Sequence, residues 1–184
     1  GYPNEFAVDD GDGPYPSDYE MDPEIVDHPN YSGLAESAME ALPTLSIVTD
    51  ISSLFDPTNG IYYNPNEKGR LWERQINLEW LDPGSPGIGF SAHAGLRIHG
   101  QSSRRPYRQP KKNLRLNFRS EYGTTDLDYP LFDPASDDFR PILSFRSLVL
   151  KGGGNRAWSA YDRDLRRETD YLNDEWVRRS HLEM

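Results

Sequence analysis

The sequence contains no cysteine in its 184 residues. Disulfide bonds and thiolate metal ligands are therefore excluded, and cysteine usage gives no indication of the redox compartment. Long apolar runs are also missing, because the longest aliphatic stretches have strand length, far below the roughly 20 residues that cross a membrane. The first residues, GYPNEFAVDDGDG, lack the basic and then apolar pattern of a signal peptide. We expect no membrane span.

Basic residues are missing from the first third of the chain. Residues 1–67 contain fourteen Asp or Glu and no Lys or Arg, whereas residues 68–184 contain sixteen acids and twenty bases. Five prolines fall within the first thirty residues, which predicts a mostly irregular acidic arm over 1–32. Such an arm is typically solvated and self-repelling. A second possibility is that it folds back onto the basic half.

The residues that follow the arm favour an antiparallel sheet. Apolar and polar residues alternate in WERQINLEWL, AGLRIHG and NLRLNF, and LSIVTD and FRSLVLKG are apolar strands. Turn residues in LFDPTNG, followed by IYY, predict a hairpin there. The expected fold class is α+β, with about five or six strands packed by a C-terminal helix.

Two segments have helical spacing. The segment SGLAESAMEAL follows the arm, with Ser32 as the expected cap. The final segment, 159–184, places three apolar side chains and Glu168 on one stripe facing the sheet. A carboxylate at a buried position is costly unless it meets a cation. The histidines and the acidic loops lack metal-ligand spacing, so no complete metal site is predicted.

The order of these segments resembles the CotH kinase family, the spore-coat-type atypical protein kinases, and particularly its large exported bacterial members. The likeness covers about residues 18–180. The segments that carry it are DYEMDPEIVDHP, LPTLSIVTDISSLFDPTNGIYYN, GRLWERQINLEW, AGLRIHGQSSRRPYRQPKKNLRLNFRSEYG, DYPLFD, LVLKGGGNRAW and YLNDEWVRR.

The resemblance implies that residues 33–184 form a kinase-like amino-terminal lobe that grips the phosphates of ATP, with Mg²⁺ as the accompanying ion. The phosphate-pairing lysine of the family falls on Lys111 or Lys112, and Lys111 matches the motif better. Its helix carboxylate partner is Glu168 by position on the stripe or Asp174 by motif. Both alternatives remain open at this point.

The stretch 95–118 has a matching chemistry, with seven Lys or Arg and no acid. Its turn, GQSSRRPYRQ, offers backbone N–H groups, the hydroxyls of Ser102 and Ser103, and the guanidinium of Arg104 or Arg105. The turn matches neither a Walker A loop nor the glycine-rich loop of ordinary kinases. Other strand cations, such as Arg97, are expected to be solvated.

Two functional classes follow. In the first, the chain is an inactive fragment of a protein Ser/Thr kinase, since the family's catalytic acids belong to a carboxy-terminal lobe that these residues do not include. In the second, it is a non-catalytic accessory subunit whose acidic arm wraps a protein partner. Nucleic-acid binding is disfavoured by the pI of 4.8. The resemblance implies an exported, periplasmic or cell-surface location.

Overall fold

The computed structural model describes residues 2–6, 14–17, 19–21, 23–84, 88–106, 111–132 and 142–152. The predicted C-terminal helix, with Glu168 and Asp174, lies outside these residues. Its packing against the sheet therefore stays a prediction.

The described residues form nine strands and three short α-helices. The strands are β1 Glu5–Phe6, β2 Tyr15–Pro16, β3 Thr44–Val48, β4 Arg74–Leu81, β5 Ile88–His99, β6 Asn113–Asn117, β7 Leu127–Asp128, β8 Ser144–Phe145 and β9 Ser147–Leu150. The α-helices are α1 Pro23–Val26, α2 Ser32–Glu40 and α3 Ile51–Phe55, and 3₁₀ turns cover Arg70–Trp72 and Ser102–Arg104. No helix among the described residues is long and apolar enough to cross a bilayer.

Five strands form one antiparallel sheet in the order β3-β4-β5-β6-β9. This confirms the α+β class and the predicted antiparallel sheet. Strand β7 pairs with β8, and β1 pairs with β2, as two smaller ribbons. The likeness of the sheet to a kinase lobe is not tested by this topology and remains an expectation.

The alternation of side chains places the core on one face of the sheet. Leu78 in β4, Leu96 and Ile98 in β5, and Leu116 in β6 are all buried, as predicted. Burying each such side chain contributes roughly 1.5–3 kcal/mol relative to exposure. Because neighbouring side chains in a strand point to opposite faces, the intervening residues place a polar surface on the other side.

The hairpin predicted at LFDPTNG and IYY, residues 54–63, is wrong. Ile51–Phe55 is a helix, and the chain then turns back onto it, with the Ile61 and Tyr62 amides donating to the carbonyls of Ser53 and Leu54. The turn is closed by the Asp56 carboxylate, which accepts hydrogen bonds from two backbone amides at 2.9 Å. Strand β3 pairs with β4 instead, across this insertion.

The predicted helix at the end of the arm is present, but Ser32 is not its cap. The residue before the helix is Tyr31, and no side chain caps it. The amides of Tyr31 and Ser32 both donate to the His28 carbonyl, so the chain is already turning before Ser32. A capping side chain needs the extended backbone that this turn removes.

The start of the acidic arm contacts the body of the protein through aromatic rings. Tyr2 packs edge-on against Phe55 at the end of α3, with ring centroids 6.1 Å apart, and lies 5.4 Å from the ring of Tyr19. The Tyr19 hydroxyl donates to the Pro3 carbonyl at 3.0 Å. Within the described residues, these aromatic contacts bring the arm back to α3.

Candidate anion-binding groove

A concave surface lies where β5 ends and the chain enters the Ser102–Arg104 turn. This open depression has a volume of about 390 Å³ and is lined by residues 68–69, residues 97–101 and Arg104. Volumes of about 300–1,000 Å³ are typical of small-ligand sites. We call this surface the groove.

The sharp bend at Gly100 shapes the groove. Gly100 has φ +116°, and a Cβ added there would lie 2.2 Å from the Ser103 hydroxyl oxygen, so only glycine fits. The bend turns the chain back at the end of β5. Across the groove, the Lys68 ammonium donates to the side-chain oxygen of Gln101 at 2.6 Å. Two segments distant in sequence are thereby held together.

The groove is positively charged. The ion pairs between described residues are Arg70–Glu121, Arg119–Glu73 and Arg146–Asp126, and none includes a groove residue. The pKa of His99 is lowered by burial and by the charges of Arg115, Arg104 and Arg97. At neutral pH the groove therefore combines a neutral imidazole with several cations.

Two arginines face each other beside the groove on the polar face of the sheet. Arg97 in β5 is the direct cross-strand partner of Arg115 in β6. The Arg115 Nη2 donates to the Ser147 hydroxyl at 3.1 Å, while its buried Nε has no hydrogen-bond partner among the described residues. Like charges directly opposite each other destabilise a sheet, and an anion between them would offset that cost.

The residues predicted from the basic turn occupy different environments. Arg104 is buried, and its guanidinium donates to four backbone carbonyls. Lys112 is buried and donates to the Arg104 carbonyl at 2.7 Å. Ser103 accepts a hydrogen bond from Asn113 at 3.3 Å. Side chains exposed to solvent are those of Ser102, Arg105 and Lys111.

A second polar cluster lies on the same face of the sheet around Glu73, whose side chain is 0% exposed. Its carboxylate accepts hydrogen bonds from Asn117 at 2.8 Å, from Arg119 at 2.8 Å and from the Tyr122 hydroxyl at 3.1 Å. Burial and the Glu73 charge raise the pKa of Tyr122 to about 12. We call these four residues the carboxylate cluster.

Sequence reasoning missed Lys68, Arg97 and His99 as a group. The alternation with Leu96 and Ile98 did place Arg97 and His99 on the polar face of β5. It could not show that the 68–69 turn reaches the end of that strand, because the contact joins positions 33 residues apart. The partners of Glu73, 44 to 49 positions away, were equally inaccessible.

The donor set of the groove fits phosphate groups. Cationic and amide donors line it, and these are the groups that bind phosphate oxygens in proteins. No group of three or more His, Asp or Glu that could hold a metal ion occurs among the described residues. Cationic and amide donors of this kind can bind a small anion.

Comparison with protein-family models found no match, and comparisons with curated proteins and with solved structures found none either. The CotH-like resemblance is thus carried by its sequence segments alone.

Proposed function

We propose that this chain is the phosphate-binding lobe of a CotH-like atypical protein kinase and that the groove receives the phosphates of ATP. The observation that carries the proposal is the convergence of Lys68, Arg97 and His99 on one concave surface, with no acid paired to them among the described residues. A net charge of -10 makes such a surface unusual in this chain. A small, multiply charged anion is the ligand that this chemistry favours.

The same charges argue against a nucleic acid as the ligand. A long polyanion needs many phosphate contacts along an extended basic surface. Here the groove is lined by Lys68, Arg97 and Arg104, and the chain as a whole is acidic, with a pI of 4.8. A nucleotide places several negative charges within the dimensions of the groove.

The environments of the two lysines favour Lys111 for the phosphate-pairing role. The Lys112 ammonium is buried and occupied by a backbone carbonyl, whereas Lys111 is exposed beside the start of β6. In the proposal Lys111 adds a point charge to the phosphates, together with Arg105 and the hydroxyl of Ser102. Glu168 and Asp174 remain the two candidates for the acid that holds Lys111.

The proposal gives this chain binding and orientation but not the chemical step. Transfer of the γ-phosphate to a protein Ser or Thr also needs carboxylates that orient the nucleophile and hold Mg²⁺. The resemblance assigns those groups to a carboxy-terminal lobe. It also implies an exported protein, which forms part of the same proposal.

Thermal stabilisation by Mg-ATP tests the proposal. Wild-type protein should be stabilised by about 2.7 kcal/mol when ATP exceeds its dissociation constant a hundredfold. The variants Arg97→Ala and Lys111→Ala should lose most of that stabilisation, whereas Arg146→Ala, which removes an exposed cation outside the groove, should retain it. Absence of stabilisation in wild type would contradict the proposal, and an undiminished response of Lys111→Ala would remove that residue from it.

A specific observation favours a second candidate, the accessory subunit. Helix α2 buries none of its nine residues, and it exposes Leu34 by 61% and Met39 by 56%. Isolated helices of fewer than about 12–15 residues are marginal in water, so packing against another surface would stabilise α2. A protein partner of the acidic arm would supply that surface.

Hydrogen exchange separates the two candidates. The accessory function predicts rapid exchange of the amides of residues 32–40 in the isolated chain and strong protection in the assembly purified with it. It also predicts no response to Mg-ATP. Equal exchange in both samples would contradict the accessory function.

A further inference from the structure

Two buried cations belong to the structure around the groove: Arg104, which lines it, and Lys112, which donates to the Arg104 carbonyl. Arg104 is 7% exposed and Lys112 is 3% exposed. Burying a charge is costly unless hydrogen bonds or an opposite charge compensate it. The Arg104 guanidinium donates to four backbone carbonyls, and the Lys112 ammonium donates to one.

The Arg104 guanidinium joins the two segments that line the groove. Its Nε donates to the Gly100 carbonyl at 2.6 Å, and its Nη2 donates to the Ile98 carbonyl at 2.5 Å. Its Nη1 donates to the carbonyls of Pro65 at 3.0 Å and Glu67 at 2.9 Å. One side chain therefore connects the end of β5 with the turn that positions Lys68.

Lys112 continues this connection to the next strand. Its ammonium donates to the Arg104 carbonyl at 2.7 Å, and the residue directly precedes β6. The contacts thus run from β6 through Lys112 to the Ser102–Arg104 turn, and from Arg104 to both sides of the groove. A guanidinium has five N–H groups, and Arg104 donates four hydrogen bonds to backbone carbonyls.

We propose that Arg104 and Lys112 are positioning residues of the groove, whereas Lys68, Arg97 and His99 are the side chains that contact the bound anion. The two buried cations fix the backbone around the groove through their carbonyl contacts. Charges and dipoles that are already in place need no reorganisation when an anion binds. This inference rests on the proposed phosphate-binding function and assigns roles within that site.

The division of roles explains why two cations from the basic turn point inward. The sequence assigned Arg104 and Lys112 to the phosphate along with their exposed neighbours. Their burial and their carbonyl contacts instead indicate that they hold the backbone of the groove in place. They act on the ligand through the residues that they hold.

Calorimetric titration of the chain with inorganic pyrophosphate tests this assignment without requiring adenine recognition. Lys112→Met removes the ammonium with little change in length, and Arg104→Lys keeps a charge but cannot reach four carbonyls. Each should lower pyrophosphate affinity by about tenfold, the lower end of the effect known for residues that orient metal ligands. Lys112→Arg keeps the charge and a donor and should recover most of the loss, whereas Arg146→Gln should bind like wild type.

The pKa of His99, followed by nuclear magnetic resonance, reports the charge that Arg104 places near the groove in variants that retain the fold. Three arginines, Arg115, Arg104 and Arg97, contribute to the lowered pKa of His99. Arg104→Gln and Arg97→Gln each remove one of these charges and should each raise that pKa. Far-ultraviolet circular dichroism confirms that each variant retains the sheet.

Wild-type affinity in folded Lys112→Met and Arg104→Lys would overturn the proposal, as would the absence of pyrophosphate binding by wild type. If Lys112→Met does not fold, Arg104→Lys and Lys112→Arg still decide, since the proposal requires weak binding in the first and near-normal binding in the second. The kinase function is tested separately. It would be contradicted, without affecting the positioning roles, if the variants change pyrophosphate affinity as expected but Mg-ATP does not stabilise the wild-type chain.

Discussion

The carboxylate cluster and the groove lie on the same polar face of one sheet, yet their charges are arranged in opposite ways. In the carboxylate cluster, the buried Glu73 is matched by Arg119 and by hydrogen bonds from Asn117 and Tyr122. In the groove, cations converge without an acid among the described residues, and Arg97 directly faces Arg115.

This difference suggests different roles for the two regions: the carboxylate cluster stabilises the fold, whereas the groove is proposed to bind a ligand. A polar cluster whose donors and acceptors satisfy one another can stabilise the fold, because no buried group is left without a partner. A cluster of like charges weakens the fold and leaves donors available for a ligand. Binding sites commonly carry such a cost in stability. Four predictions test this comparison.

The largest effect is expected at Glu73. Glu73→Gln removes the charge that compensates Arg119 and weakens the hydrogen bonds that the buried carboxylate accepts, so it should lower the free energy of unfolding by roughly 1.5–3 kcal/mol. Glu121→Gln is the matched control, because the Arg70–Glu121 pair is exposed, with side chains 63% and 38% accessible, and should cost less than about 1 kcal/mol. Urea unfolding measures both. Equal losses would contradict the assigned difference between the pairs.

A glycine beside the carboxylate cluster gives the next effect. A Cβ added at Gly95 would lie 2.4 Å from the Glu73 Oε1, which its hydrogen bonds hold in place. Gly95→Ala should therefore lower stability by about 1–3 kcal/mol, the usual cost of overpacking. Gly33→Ala in α2 meets open space and should gain roughly 0.5–1 kcal/mol. If thermal unfolding shows that Gly95→Ala is as stable as wild type, the Glu73 side chain can move away from the added methyl group, and the expected clash is absent.

In the groove, removing a charge should raise the free energy of unfolding instead of lowering it. Arg97→Met relieves repulsion with Arg115 and should raise the free energy of unfolding by about 0.2–1 kcal/mol, the usual range for cross-strand pairs. Arg146→Met removes one side of an ion pair and should give no gain. Urea unfolding without anions provides the measurement. A loss of stability in Arg97→Met would contradict the view that this charge is kept for binding.

The smallest effect concerns pH. Because burial and three arginines lower the pKa of His99 below 6.5, the unfolded chain binds more protons than the folded chain as pH falls below that value. The His99 contribution therefore makes the free protein less stable as pH falls through this window. A bound anion would offset the arginine charges and therefore raise the pKa of His99. Because the bound form then takes up a proton more readily, the affinity for the anion should increase as pH falls.

The variant His99→Gln checks this effect. Its phosphate affinity should vary less between pH 7.5 and 5.5 than wild type does, when both are measured by calorimetry over that roughly two-unit window around the ordinary histidine pKa. An identical pH dependence in both proteins would show that another group titrates.

The sheet was predictable because its signal is local. Leu96 and Ile98 alternate with Arg97 and His99, and this pattern fixes which face is buried whatever the strand pairs with. Residues 54–63 were misread because Asn59-Gly60 is a hairpin signal, whereas the structure uses the carboxylate of Asp56 and the short helix α3 to turn the chain. Competing turn chemistries cannot be ranked by pattern alone.

The site was only partly predictable because charge does not report burial. The basic stretch contains several residues that line the groove, but its spacing could not show that Arg104 and Lys112 are buried while Lys111 stays exposed. Lys68 lies outside that stretch and joins the groove only through tertiary structure. The pairing of Arg97 with Arg115 likewise required the strand register.

The most direct test of the groove is a nuclear magnetic resonance titration of ¹⁵N-labelled chain with inorganic pyrophosphate at low salt. We predict saturable shifts concentrated at the amides of residues 68–69 and 97–101, and a rise in the pKa of His99 in the bound form. Shifts scattered over the surface without saturation, or an unchanged His99, would contradict the account that this groove is a prepared anion site.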